Sequence, residues 1–207
     1  MRLALMGASG RIGSHVLAWA LASGHEVTAL ARSPQSLTAA DGLTIMAGDA
    51  TDATAVASAV AGADAVLSAL GPRGAKPAGL LAEAGRNLVT GMDKAGCRRL
   101  ICVSAAGAFI ESDPDSGILI RTVLPRVLAR QFADVQAMEA AIRPSDLDWT
   151  LVRATRLVNT PLTGRYRVRP DYPPRGGGKI SRADVAQFMG AVLTDHAWVR
   201  ESPALAY

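Results

Sequence analysis

The chain has 207 residues, 49% of them apolar and 19% charged, with a net charge of +4. That length and apolar content suffice for one full hydrophobic core, so a single domain over residues 1–207 is expected. The arginines lie scattered along the chain and only 4% of residues are aromatic, which argues against nucleic-acid binding, and no apolar run is long enough to cross a bilayer.

The first elements carry the clearest motif. Leu3-Ala4-Leu5-Met6 runs into Gly7-Ala8-Ser9-Gly10-Arg11-Ile12-Gly13, and residues 15–22 have a helical pattern. A strand, a glycine turn and a helix start follow from that order. Gly7 permits the tight turn, Gly10 lets backbone approach a ligand without a Cβ in the way, and Gly13 lets the helix pack on the strand. Amide groups and the positive end of the helix dipole then converge on one point, which suits a pyrophosphate, and Ser9 and Arg11 can add hydrogen bonds or charge. The spacing is G-x-x-G-x-x-G rather than G-x-G-x-x-G, so its position between strand and helix is what points to a dinucleotide.

Ser23-Gly24 ends the helix, and residues 25–31 form a second strand. That strand leads to Arg32-Ser33 and not to the acid that would hold a ribose 2′-hydroxyl. Positive charge and a hydroxyl suit a 2′-phosphate, so NADP(H) is expected over NAD(H). A third strand, 43–47, runs into Gly48-Asp49-Ala50-Thr51-Asp52, where Thr51 or Asp52 can cap the helix that follows through Val60. Asp49 can accept from an adenine amino group or form an Asx turn. Residues 63–70 are a fourth strand, small and apolar throughout as for a strand covered on both faces, ending at Gly71-Pro72. Leu70 and Gly71 would form a smooth wall under the cofactor.

A helix over 79–95 and a fifth strand over 99–104, ending in Ala105-Ala106-Gly107, come next. This alternation predicts an α/β, Rossmann-like, right-handed, doubly wound parallel sheet with helices on both faces and its ligand at the carboxyl ends of the strands. Residues 118–142 form a long helical region broken near Pro125, 147–153 a sixth strand, and Ser181 caps a last helix through Leu193 with Asp184 three residues after the cap. Between them, residues 159–179 are rich in Pro, Gly and Arg and read as a mobile loop or short hairpin. With its flanks, about 154–180, this stretch would form a small part that covers a substrate.

Cys97 and Cys102 lack metal or redox spacing and read as buried apolar residues of a reducing compartment. A strand begins within two residues of the start, unlike a signal peptide, so a soluble cytoplasmic protein is expected. His15, His25 and His196 are dispersed, and no metal site is expected. Ser104 lacks the G-x-S-x-G setting of a hydrolase nucleophile. Trp19 and Trp149 read as core.

With these residues in hand, the chain resembles the atypical short-chain dehydrogenase/reductase, NAD(P)H-binding family that includes NADPH-dependent flavin reductase (biliverdin-IXβ reductase) and NmrA-like proteins. The likeness rests on the glycine turn, on Gly48-Asp49-Ala50-Thr51-Asp52, on the stretch Asp146-Leu147-Asp148-Trp149-Thr150-Leu151-Val152-Arg153, on Pro161-Leu162-Thr163-Gly164-Arg165-Tyr166-Arg167-Val168, and on Ile180-Ser181-Arg182-Ala183-Asp184-Val185-Ala186. The resemblance implies that Gly7, Ser9, Gly10, Arg11 and Ile12 hold the pyrophosphate, Arg32 the 2′-phosphate, Asp49 and Ala50 the adenine, and Leu70, Gly71 and Ser104 the nicotinamide half. Ala105 stands there where the flavin reductases have a serine, Arg156 where they have a histidine, and Ala154-Thr155 where the family has two prolines.

Carbonyl reduction in short-chain dehydrogenases uses a Tyr with a Lys four residues on. Here Pro170 follows Tyr166 and Gly176 follows Tyr172 at that spacing, which turns the expectation away from alcohol and sugar substrates. Hydride transfer to a flavin-like planar acceptor asks mainly for orientation. Ser104 would then orient the carboxamide or the acceptor, and Arg156 would hold an anionic group or stabilise the reduced ring. The alternative is a non-catalytic NADP-binding redox sensor of NmrA-like type. A monomer or homodimer with a small-molecule partner is expected in either case.

Overall fold

A strand buried on both faces has no polar side, and β1 (Arg2–Met6) is such a strand: Leu3 and Leu5 enter one apolar cluster, Ala4 and Met6 the other. The computed structural model describes residues 1–71 and 79–207. Beside β1 lie β2 (Glu26–Ala31), β3 (Leu43–Ala47), β4 (Ala65–Ser68), β5 (Arg99–Ala105) and β6 (Asp148–Ala154); β4 is likewise buried throughout, whereas β3, at the sheet edge, has no buried residue. The crossovers contain α1 (Gly13–Ala22), α2 (Ala53–Val60), α3 (Leu80–Ala95), α4 (Ile118–Val127) and α5 (Ala129–Ile142). Then come β7 (Arg156–Val158), β8 (Arg167–Pro170), β9 (Lys179–Ser181), α6 (Arg182–Thr194) and β10 (Pro203–Ala206).

The main sheet has the order β3-β2-β1-β4-β5-β6-β10-β8, parallel from β3 through β10, with β8 antiparallel on the edge. Helices α2, α3 and α5 cover one face, while α1 and α6 cover the other. This is the expected single-domain, Rossmann-like α/β architecture. The order reverses between β1 and β4, so a crevice opens beyond their carboxyl ends.

Five details differ from expectation. β10 adds a strand that the sequence pattern does not announce, and β8 makes part of the covering stretch an edge strand instead of a loop. β7 and β9 pair in parallel as a separate two-stranded sheet, not as a hairpin. The helical break falls at Leu128, since α4 continues past Pro125. The fourth strand is shorter than expected at both ends, Ala65–Ser68, and just before it the Ala63 N–H still belongs to a turn, donating to the Val60 carbonyl at 3.1 Å. Pro72, expected to end that strand, lies outside the described residues.

Trp149 is buried in the core as expected, whereas Trp19 is half-buried and packs over Gly190, where a Cβ would lie 2.3 Å from its ring. Cys97 and Cys102 are buried free thiols, and burial pushes Cys102 up to about 12. Among the described residues, no helix is long and apolar enough to cross a membrane.

Candidate cofactor and acceptor site

Gly7 adopts φ +82°, where a side chain is strained, and a Cβ there would lie 2.9 Å from the Ala69 carbonyl oxygen. At Gly13 a Cβ would come within 1.9 Å of the Gly7 carbonyl oxygen, so the start of α1 is pressed directly onto the turn. Gly10 has a part within the turn itself. Its missing Cβ would face the Gly7 carbonyl at 3.0 Å, and its N–H donates to that same oxygen at 2.8 Å. Gly10 thus also keeps the turn compact.

The hydrogen-bond ladder of α1 begins with the Ser14 N–H on the Gly10 carbonyl at 2.8 Å, leaving the amides of Arg11, Ile12 and Gly13 ahead of it. Ile12 holds the cap position without a side-chain hydrogen bond, and the first turn has no acid. By contrast, Asp52 caps α2 and Ser181 caps α6. An anion at the start of α1 would satisfy those amides and meet the helix dipole. Ser9 is half-buried and Arg11 exposed at this point.

One strand over, Asp49 builds an Asx turn, its Oδ1 accepting from the Thr51 N–H and hydroxyl, each at 3.0 Å. Its other oxygen lies 3.8 Å from the Arg32 Nε, with both side chains more than a third exposed. Such a surface pair is weak, and Arg32 can leave it for a phosphate at little cost. Ser33 is exposed beside Arg32, and its carbonyl is taken by Ser36. Ala50 is buried, and its carbonyl accepts from Asn87 Nδ2 at 3.1 Å. Asn87, on α3, thereby fixes the Ala50 carbonyl beyond the end of β3, a contact with no signal in the sequence. Leu70 is half-buried, Gly71 exposed, and Ala105 half-buried at the end of β5.

Ser104 is tied to the element behind it. Its hydroxyl is buried and donates to Glu139 Oε1 at 2.5 Å, so only its lone pairs remain for a ligand. Glu139, 1% exposed on α5, also accepts from Arg153 at 3.1 and 2.7 Å and from Arg143 at 3.2 and 3.1 Å. Arg153 is itself buried; it stacks 3.6 Å from the Phe109 ring centroid and donates to the Asp171 carbonyl at 2.8 Å. This hub ties β5, α5, β6 and the covering stretch together. Its one visible signal was an acid on the stripe Val135, Met138, Ile142, where buried residues recur.

The covering stretch is fastened twice more. Asp184, fully buried, accepts from the Thr163 and Gly164 amides at 2.9 and 2.8 Å, the Thr163 hydroxyl at 2.9 Å and the Tyr207 hydroxyl at 2.5 Å. Burial works to raise its pKa, but these four donors outweigh burial and hold it below the usual aspartate value. Asp115 binds Arg169 at 2.6 Å and Arg175 at 2.7 Å. Arg175 first, and Arg169 with it, keep that carboxyl low. The stretch expected to be mobile is therefore anchored at several points. Arg156 stands exposed on β7, two residues beyond the end of β6 and so at the carboxyl edge of the sheet.

The model of the NAD(P)H-binding family matches residues 7–196. The chain belongs to the NAD(P)H-binding family. It is 32% identical over 193 residues to the uncharacterised protein YwnB of Bacillus subtilis, covering 90% of this chain and 89% of YwnB. A solved candidate exported protein from Burkholderia pseudomallei is 30% identical with a TM-score of 0.84, each chain covered in full. ChuY, an anaerobilin reductase from Escherichia coli O157:H7, is 25% identical with a TM-score of 0.83, over 100% of this chain and 97% of ChuY. The family is an NAD(P)H-binding one, its solved relatives share the fold, and the glycine cradle fits a dinucleotide.

Proposed function

We propose that this protein is an NADPH-dependent reductase whose acceptor is a flavin or a similar planar conjugated molecule. Gly7, Ser9, Gly10, Arg11 and Ile12 would seat the pyrophosphate, Asp49 and Ala50 the adenine, Arg32 and Ser33 the 2′-phosphate. Leu70, Gly71, Ser104 and Ala105 would border the nicotinamide half. When bound, NADPH supplies a hydride to the acceptor ring, whose second hydrogen arrives as a proton from solvent. The protein's contribution is orientation. Leu70 and Gly71 form the wall, Ser104 keeps its position through Glu139, and Arg156 presents a cation at the rim.

The observation that carries this reading is the pairing of an amide cradle at one end of the crevice with a far end where Ser104 keeps its hydrogen on Glu139. An acceptor whose ring delocalises charge and takes its proton from water suits such a site. The preference for NADPH is supported by Arg32 beyond the end of β2, where a carboxylate would select the 2′-hydroxyl. All the groups named belong to one chain, so a monomer or a homodimer would serve.

The same engaged serine also suits a non-catalytic NADP-binding sensor. Steady-state NADPH oxidation with riboflavin and FMN separates the two. Turnover above background is the expected result; tight NADP+ binding with no turnover of either flavin would replace the reductase by the sensor.

A further inference from the structure

The positive charge that looks dispersed along the chain has one source. Residues 154–182 contain seven Lys and Arg against the single acid Asp171, so this stretch carries +6 while the whole chain carries +4 and the remainder is net −2. Three of the seven have internal work: Arg169 and Arg175 hold Asp115, and Arg167 donates to the Arg175 and Tyr207 carbonyls. Arg156, Arg165, Lys179 and Arg182 have no ion-pair partner among the described residues.

Three of those four are gathered by the small sheet. Arg156 and Lys179 are register partners across β7 and β9, so two like charges stand directly opposite on one face, an arrangement that destabilises a sheet. Their neighbours Leu157 and Ile180 take the other face, and Ile180 is completely buried, which leaves the two cations no inward rotation. Arg182 follows Ser181 on β9, half-buried, with Asn159 Oδ1 at 2.5 Å as its hydrogen-bond partner. Its pKa is lowered by burial first and by nearby Arg11 second. A fold that sets cations against one another at the edge of its crevice is relieved when an anion enters between them.

The pyrophosphate seat does not account for all three. In the order β1-β4-β5-β6, Arg156 follows a strand three spacings from the glycine turn, roughly 14 Å away. We infer that Arg156, Lys179 and Arg182 form a second anion site, which receives a carboxylate or phosphate carried by the acceptor. The substrate class is then a planar acceptor with an ionised side arm, and this rests on the reductase reading above.

Riboflavin and FMN share a ring and differ by one phosphate, so their comparison isolates the site. The wild-type protein should show a lower KM for FMN than for riboflavin, and rising salt should erase the difference. Arg156→Gln combined with Lys179→Gln should reduce the FMN-over-riboflavin preference about tenfold, and Arg182→Gln should reduce it less. Binding read by flavin fluorescence quenching in the NADP+ complex should follow the same order, which tests the site without turnover. If FMN binds in this charge-dependent way and no flavin is reduced, the site stands and the reductase reading falls. If both flavins are reduced with equal KM and the double variant changes nothing, the anion site falls and the reductase stands. A loss of NADPH affinity parallel to the loss of FMN affinity would assign these cations to the cofactor and overturn the inference.

Discussion

The two ends of the crevice are built of different material. At the cofactor end the contacts are backbone amides, held in place by glycines whose absent Cβ atoms let Gly7, Gly13 and Ala69 meet. At the proposed acceptor end they are side chains, with Glu139 gathering Ser104, Arg143 and Arg153, Asp184 pinning Thr163, Gly164 and Tyr207, and Arg156 facing Lys179. A backbone seat is indifferent to the identity of the neighbouring side chains and can serve one cofactor across many acceptors. The side-chain end is where one member of the family can differ from the next.

The largest effect is expected where the acceptor end has a buried charge. Glu139→Ala would leave the buried Arg153 guanidinium with only the half-exposed Asp171 carboxylate, 3.6 Å away, a loss of about 3 kcal/mol. Urea unfolding measures it, and a loss below about 1 kcal/mol would mean that the hub is ornamental, contrary to the side-chain basis of this end. At the other end, Gly13→Ala drives a methyl to 1.9 Å from the Gly7 carbonyl, with backbone on both sides. Overpacking of this kind costs about 3 kcal/mol or more. NADPH binding by calorimetry should vanish with it; an unaltered binding isotherm would show that the turn is not the seat.

This difference in material also explains what could be read before the fold was known. Strands β1 and β4 announced themselves because burial on both faces leaves a nearly continuous apolar run, the other four by short apolar stretches between turn residues, and the caps Asp52 and Ser181 sit where capping chemistry requires them. The cradle was legible for the same reason, since a backbone site leaves its trace as glycine spacing. β10 has only Pro-Ala-Leu-Ala, and β7 and β9 have three residues each, too few to show a period. Glu139 and Arg153 could not be paired from sequence, because 14 residues and a change of element separate them. The choice for Asp49 between a turn and an adenine contact needed the Thr51 hydrogen bonds to show that its Oδ1 is engaged.

A smaller effect is expected at Asp184. Its carboxyl sits below the ordinary 3.8 because the Tyr207 hydroxyl, the Gly164 and Thr163 amides and the Thr163 hydroxyl outweigh burial. A lowered folded value means stability that is fully present above about pH 4 and drains away as the pH falls through the unfolded value toward the folded one. Asp184→Asn should cost about 1–2 kcal/mol at neutral pH and much less near pH 3, flattening the acid limb of the stability curve. Parallel curves for the two proteins would show that Asp184 fastens the covering stretch by shape rather than charge.

The smallest change sharpens the comparison most, because Arg32 is a side-chain contact at the backbone end. Its Nε lies 3.8 Å from Asp49, and both groups are well exposed, so the protein gives up little stability when Arg32 is truncated. A 2′-phosphate would lose a charge-assisted hydrogen bond worth about 1.5 kcal/mol, roughly tenfold in Kd. NADH has no group to lose there. Arg32→Ala should therefore weaken NADPH about tenfold while moving NADH less than about twofold, at ionic strength low enough that screening does not hide the contact. Equal losses for both nucleotides would mean that Arg32 acts through Asp49 instead of reading the phosphate, and the cofactor end would then owe its choice of nucleotide to backbone as well.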